Sequence, residues 1–223
     1  MSAQGYFITG TDTDVGKTCA TIVLMRYFKR QGKTVLGMKP VASGCTLHAG
    51  ELKNADALLI QENASIALDY QLINPYAYQL PVSPHIAGVD NPVKLETIVE
   101  RYNSLKALAD IVIVEGAGGW YAPLNAQDDI SDLANTLALP VILVVGLRLG
   151  CINHAKLSYQ AIPLSGLVCA GWIAVSVDPD LLYRDENIQA ITDALPVPLI
   201  GVLPYQKQLD YDLLADQLKG LPI

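Results

Sequence analysis

The chain has 223 residues, 51% of them hydrophobic, with a formal net charge of −7 and a mean hydropathy of +0.30. That length suits a single domain, and so much apolar content suits a parallel sheet covered on both faces. The acidic balance argues against nonspecific nucleic-acid binding, and the longest apolar run, 137–147, is broken by Pro140 and Gly146 and falls short of the ~20 residues a membrane-spanning helix needs.

The first five residues have neither the basic region nor the apolar stretch of a secretion signal, so the cytoplasm is the expected compartment. Cys19, Cys45, Cys151 and Cys169 form no CxxC pair, and reduced thiols are expected. Tyr6-Phe7-Ile8 predicts a short strand, while Ala20, Val23, Leu24, Tyr27 and Phe28 recur at helical spacing. Between them lies Gly10-Thr11-Asp12-Thr13-Asp14-Val15-Gly16-Lys17-Thr18. A glycine-bounded loop there turns backbone N–H groups toward one point, at the positive end of the helix dipole, and reads as a phosphate cradle. Lys17 is placed to reach the outer phosphates and the Thr18 hydroxyl to ligate magnesium. Five residues separate Gly10 from Gly16 where the usual pattern has four, which makes this a longer-loop variant.

A second strand is predicted over 34–38, delivering Lys39 and Ser43 beyond its carboxyl end, where open α/β sheets bind their ligands. A helix starts near 54, with Asp56 in its first turn serving either as a capping and dipole residue or as a ligand. Residues 64–91 are irregular and proline-rich and resemble a substrate-facing insertion. A core-facing helix is predicted over 94–109. The run 110–115 predicts a buried strand ending in Glu115, followed by Gly116-Ala117-Gly118-Gly119. A carboxylate at the tip of a strand beside the phosphate loop suits a magnesium ligand. A helix over 129–138, a strand over 140–145, and a glycine-bounded turn, 146–150, into a helix beginning at Cys151 follow. That second helix start is either another anion site or an ordinary turn. A strand over 166–177, a helix over 183–195, a strand over 198–203 and a closing helix over 209–218 complete the chain. The alternation predicts a doubly wound, mostly parallel α/β sheet with helices on both faces, of the P-loop NTPase kind, as one domain over 1–223. His48, His85 and His154 are too scattered for a zinc site.

The stretches GTDTDVGKT (10–18), KPVASG (39–44), NADAL (54–58), NPY (74–76), SPHIA (83–87), VEGAGGWYAPL (114–124) and PVILVVGLRLGCINH (140–154) resemble the dethiobiotin synthetase family almost end to end. The long loop is shared with partition-type ATPases and cobyrinic acid amide synthases, whereas Lys39-Pro40 and Gly-Cys-Ile-Asn-His point to the synthetases. A nucleotide-driven switch of the partition-ATPase type, binding a protein partner, is the competing reading. The proline-rich 74–92 segment, which suits a small molecule, speaks against it.

The resemblance implies ATP- and Mg²⁺-dependent carboxylation and ring closure of 7,8-diaminononanoate with CO₂, giving dethiobiotin through a carbamate and a carbamic-phosphoric mixed anhydride. It implies that Thr18, Asp56 and Glu115 hold magnesium, and that Thr13, Lys17 and Lys39 meet the carbamate and the transferring phosphoryl group. Ser43 would contact the diamine. Asp14, Val15, Gly16, Lys17, Thr18 and Cys19 would bind phosphates, Gly116, Ala117 and Gly118 would line the nucleotide site, and Pro204, Tyr205 and Gln206 would flank the base. It further implies a homodimer in which Gly150, Cys151 and Asn153 of one chain hold the substrate carboxylate at the other chain's nucleotide site. One departure stands out: after Gly171-Trp172-Ile173-Ala174, where the family carries a base-reading asparagine, this chain has Val175.

Overall fold

In a computed structural model describing residues 4–221, the apolar runs become the strands of a parallel sheet. In chain order the elements are β1 (Gln4–Gly10), α1 (Lys17–Arg30), β2 (Val35–Met38), β3 (Val41–Ala42), β4 (Thr46–His48), β5 (Glu51–Lys53), α2 (Ala55–Asn63), α3 (Tyr70–Ile73), β6 (Tyr76–Ala77), α4 (Pro84–Ala87), α5 (Leu95–Lys106), β7 (Ile111–Gly119), α6 (Ile130–Leu137), β8 (Val141–Leu147), α7 (Cys151–Leu164), β9 (Cys169–Ser176), α8 (Arg184–Ala194), β10 (Leu199–Leu203) and α9 (Tyr211–Ala215). The main sheet runs β10-β9-β8-β1-β7-β2, and every neighbouring pair is parallel. The small pairs β3-β6 and β4-β5 stand apart from it.

Strand alternation divides the interior into two layers. On β7, Val112 and Val114 face the layer of α5, α6 and α7, while Ile111 and Ile113 face the layer of α1, α2 and α9. The next residue facing α1 in that alternation is Glu115. β1 lies between β7 and β8, so the chain order of the sheet reverses around it and a crevice opens beyond its carboxyl end.

Three expectations are corrected. Glu115 does not end its strand, because β7 continues through Gly119, which pairs with Gly10 after a register shift that leaves the extra residues in β7. The closing helix spans only Tyr211–Ala215 instead of 209–218, because Leu218 bridges Gly201 and Lys219 N–H donates to the Ile200 carbonyl. The chain end thus covers β10, an edge strand that would otherwise leave backbone groups unpaired. The irregular 64–91 stretch contains α3, β6 and α4. Among the described residues no helix is long and apolar enough to cross a membrane.

Candidate functional site

The loop between β1 and α1 takes its shape from what its glycines leave out. Val15 is buried, and a Cβ at Gly10 or Gly146 would approach it to 2.6 or 2.9 Å. Gly16 opens α1 at φ 87°, and a Cβ there would meet Val175 Cγ1 at 2.6 Å. Only glycine fits that conformation and that contact together. The first turn of α1 carries no acidic residue to compete for its dipole. Lys17 is buried, and its Nζ donates to the Asp12 carbonyl at 2.7 Å. Burial pushes the Lys17 ammonium down to about 8, helped by the Lys39 charge and opposed by Glu115, Asp14 and Asp56.

Strand register brings the other charges to this loop. Ile8 pairs with Glu115 and Met38 with Val114, so Lys39, one residue beyond β2, lies alongside Glu115. Glu115 is fully buried; its Oε1 accepts from Thr18 Oγ1 at 2.8 Å and from Lys39 Nζ at 2.5 Å, and its Oε2 has no protein partner. Lys39 Nζ also reaches Asp56 Oδ2 at 3.4 Å. Asp56 is held at the start of α2 by Asn54, whose side chain accepts from the Asp56 and Ala57 amides. Burial disfavours the Lys39 charge, but Glu115 and Asp56 outweigh it and leave the ammonium above its ordinary value. Lys39 is thus buried between two carboxylates.

A buried carboxylate oxygen without a partner is costly unless something binds it. Thr18, Asp56 and Glu115 supply hard oxygen donors, the set Mg²⁺ accepts when phosphate oxygens and water complete its octahedron. Among the described residues no three His, Cys, Asp or Glu side chains gather into a metal cage, so two carboxylates and a hydroxyl are what this site offers.

The cleft in front of these groups measures about 1000 Å³. Thr13, Asp14, Gly16, Lys17, Thr18, Cys19, Lys39, Ser43, Asp56, Glu115, Ala117, Gly118, Val175, Pro204, Tyr205 and Gln206 all line it, as do Pro81 to Pro84 of the proline-rich segment. Val15 and Gly116 do not: Val15 is buried beneath the loop, and Gly116 packs close to Phe7 and Ile130. Burial pushes the Cys19 thiol up to about 11, which keeps it neutral and a poor nucleophile. Gly150, Cys151 and Asn153 lie outside the lining, at the start of α7.

Four participants escaped the sequence reading. Ser43 and Ser176 both line the cleft with a buried hydroxyl that has no partner, and the sequence points only to Ser43. Asn54 and Ser83 line the cleft as well. Asp12 holds three groups at once: its carbonyl takes Lys17, its Oδ1 takes the Thr13 amide at 2.7 Å, and its Oδ2 takes Arg148 Nη2 at 2.5 Å. The only sequence signal for the last contact is a cation interrupting an apolar run.

The model of the AAA domain family matches residues 4–212. ATP-dependent dethiobiotin synthetase BioD of Xylella fastidiosa (strain 9a5c) is 45% identical over 207 residues, covering 92% of each chain. Its counterparts in Aromatoleum aromaticum and Xanthomonas oryzae pv. oryzae are 44% identical over 97% of both chains and 43% identical over 100% of this chain and 99% of the relative. Among solved structures, the MinC:MinD cell division complex of Aquifex aeolicus aligns with a TM-score of 0.60 at 18% identity, over 97% of this chain and 86% of that one. The signal recognition particle receptor FtsY of Elizabethkingia anophelis aligns with a TM-score of 0.52 at 16% identity, over 96% of this chain and 64% of that one. These two likenesses show the fold alone: a parallel sheet between helices. At the identity and coverage of its sequence relatives, the chain belongs to the ATP-dependent dethiobiotin synthetase family.

Proposed function

We propose that this protein is an ATP-dependent ligase of biotin synthesis that converts 7,8-diaminononanoate, CO₂ and ATP to dethiobiotin, ADP and phosphate. The observation that carries the reading is Lys39, buried between Glu115 and Asp56 one loop away from Lys17. One amine of the substrate adds to CO₂ and forms a carbamate. A carbamate oxygen takes the γ-phosphoryl group, and ADP leaves. The neighbouring amine attacks the carbamoyl carbon of the mixed anhydride, and phosphate departs as the cyclic urea closes. Each species gathers negative charge on oxygen, so fixed cations in a partly dry cleft favour the transition states over the reactants. In this reading Lys17 holds the outer phosphates, while Lys39 and Thr13 meet the carbamate and the phosphoryl group in transit. Ser43 contacts the diamine, and its unpartnered hydroxyl supports that role. Thr18, Asp56 and Glu115 hold Mg²⁺, which when bound neutralises phosphate charge.

The start of α7 completes the reading as a homodimer. Gly150, Cys151 and Asn153 lie outside their own chain's cleft, which leaves them available for the role the resemblance implies, holding the substrate carboxylate for a second copy. The chain works as one unit in the cytoplasm, where its four unpaired cysteines stay reduced, and it does not engage nucleic acid. The test is incubation with diamine, bicarbonate, Mg²⁺ and ATP, with mass spectrometry for the product. Dethiobiotin together with ADP is expected. ATP hydrolysis without dethiobiotin would overturn the reading in favour of a nucleotide-driven switch.

A further inference from the structure

We propose that the Asp12–Arg148 ion pair is a positioning device that transmits the state of the phosphate loop to the Gly150–Asn153 segment. Asp12 is the point of the loop through which three groups are held. Its backbone carbonyl fixes the Lys17 ammonium, its Oδ1 fixes the Thr13 amide, and its Oδ2 holds Arg148. Arg148 lies between the end of β8 at Leu147 and the start of α7 at Cys151, and Cys151 N–H donates back to the Arg148 carbonyl at 3.0 Å. A phosphate that draws Lys17 forward pulls on Asp12, and through Arg148 on the turn that opens α7. The Arg148 and Asp12 side chains are 37% and 50% exposed. Pairs so exposed change a folding equilibrium by only about one- to fivefold, so stability does not explain this one. It does join the two glycine-opened helix starts of the β1–β8 crevice, which no other side-chain ion pair among the described residues does. The inference rests on the synthetase reading only in naming the substrate carboxylate as what the segment holds. In the dimer of that reading, nucleotide in one protomer firms the arm that completes its neighbour's site.

Amide hydrogen exchange tests the coupling without turnover. Binding of a non-hydrolysable ATP analogue to the native protein should slow exchange at 12–18 and also at 148–153. In Arg148→Ala and Asp12→Asn the slowing at 12–18 should remain and that at 148–153 should vanish, while Arg148→Lys should retain both. Asp12→Asn keeps an oxygen for the Thr13 amide, so a change there reports the lost charge pair. In turnover, Arg148→Ala should raise the diamine KM about two- to fivefold with the analogue's Kd unchanged, and Asp12→Asn/Arg148→Ala should be no worse than the poorer single variant. Slowing at 148–153 that survives in Arg148→Ala, or is absent from the native protein, would overturn the proposal. A native protein that makes no dethiobiotin would overturn the proposed function instead, and the exchange result would still decide the coupling.

Discussion

Two helices of this molecule begin in nearly the same way and end up with different surroundings. α1 and α7 follow neighbouring parallel strands, each opens after a left-handed glycine (φ 87° at Gly16, 94° at Gly150), and neither has an acidic residue in its first turn or a side-chain cap. Their dipoles should therefore attract anions about equally. At α1, however, the helix start is packed against Val175 and faced by Lys17, Lys39 and the fully buried Glu115. At α7 no atom lies within 4 Å of a Cβ on Gly150, and Leu149 is 94% exposed. A dipole of about half a charge is common to every helix; the buried Lys39 and Glu115, supplied by β2 and β7, are what distinguish the start of α1 from that of α7. The open start lies outside the lining of the chain's own cleft.

The largest expected effect falls on the charged end. Lys39→Ala should lower turnover on the order of 10²–10³-fold, the scale of losing one fixed donor to a developing oxyanion, with nucleotide binding largely kept. The structure adds a cost in stability: Glu115 would remain fully buried with only Thr18 to meet it. Removing one partner of a buried pair costs about 3–5 kcal/mol. Thermal melting should show that loss, and Glu115→Gln placed in the same chain should recover much of it without restoring turnover. Near-normal turnover in Lys39→Ala would remove what sets α1 apart from α7.

Complementation sharpens the comparison from the other side. If the open helix start serves the neighbouring chain, a Lys39→Ala chain mixed with an Asn153→Ala chain should form a heterodimer with one site that escapes both lesions. About half the native dimer's activity should return, as two-fold symmetry requires. No recovery in confirmed heterodimers would place the carboxylate contact within one chain.

What could be read in the sequence follows the same divide. Lys17, Thr18 and the phosphate loop are contiguous, and their chemistry depends on local spacing between a strand and a helix. Lys39 and Glu115 were each visible as strand-end residues, but their contact depends on β2 pairing with β7, a register that no local spacing reveals. The three glycines among the four residues after Glu115 look like a turn, whereas in the fold they extend β7 beside Gly10. The 209–218 helix was overextended because its apolar spacing persists into Leu218, which tertiary bridging to Gly201 diverts. Arg148 could not be assigned at all, since its partner lies 136 residues away.

The charge at α1 also gives it a pH signature. Lys17 titrates at about 8 in the folded protein, below its ordinary 10.5. Below about 8 it is a cation and meets phosphate directly. As pH rises through 8 the unliganded protein loses that proton, and nucleotide binding must take one up. The nucleotide Kd should then weaken by up to ~tenfold per pH unit above 8. Stability moves the opposite way: the folded value lies below the unfolded one, so the cost of burying the ammonium is present below about 8 and is relieved between 8 and 10.5. Lys17→Arg, which does not titrate in this range, should flatten the binding profile measured by calorimetry.

The smallest expected effect concerns the base, at Val175. The resemblance implies an asparagine here, whose amide offers a donor and an acceptor to adenine; valine offers neither. In the structure Val175 is buried, and its Cγ1 lies where any side chain on Gly16 would intrude, so it seats the phosphate loop. The next residue, Ser176, has a buried hydroxyl without a partner and also lines the cleft. Gln206 already uses its side-chain oxygen to accept from the Asp210 amide at 2.8 Å. A hydroxyl rotates to donate or accept, so it suits either kind of base edge and discriminates weakly. A site built to hydrogen-bond one ligand can reject another by roughly 10⁴–10⁵, and nothing at Val175 and Ser176 provides that. CTP and GTP should therefore support turnover within about an order of magnitude of ATP, as kcat/KM for each nucleotide would show. A strong ATP preference that collapses in Ser176→Ala would make that hydroxyl the reader. One that survives in Ser176→Ala would move base recognition to the backbone around Pro204 to Gln206, and α1 would then select its nucleotide by shape as well as by charge.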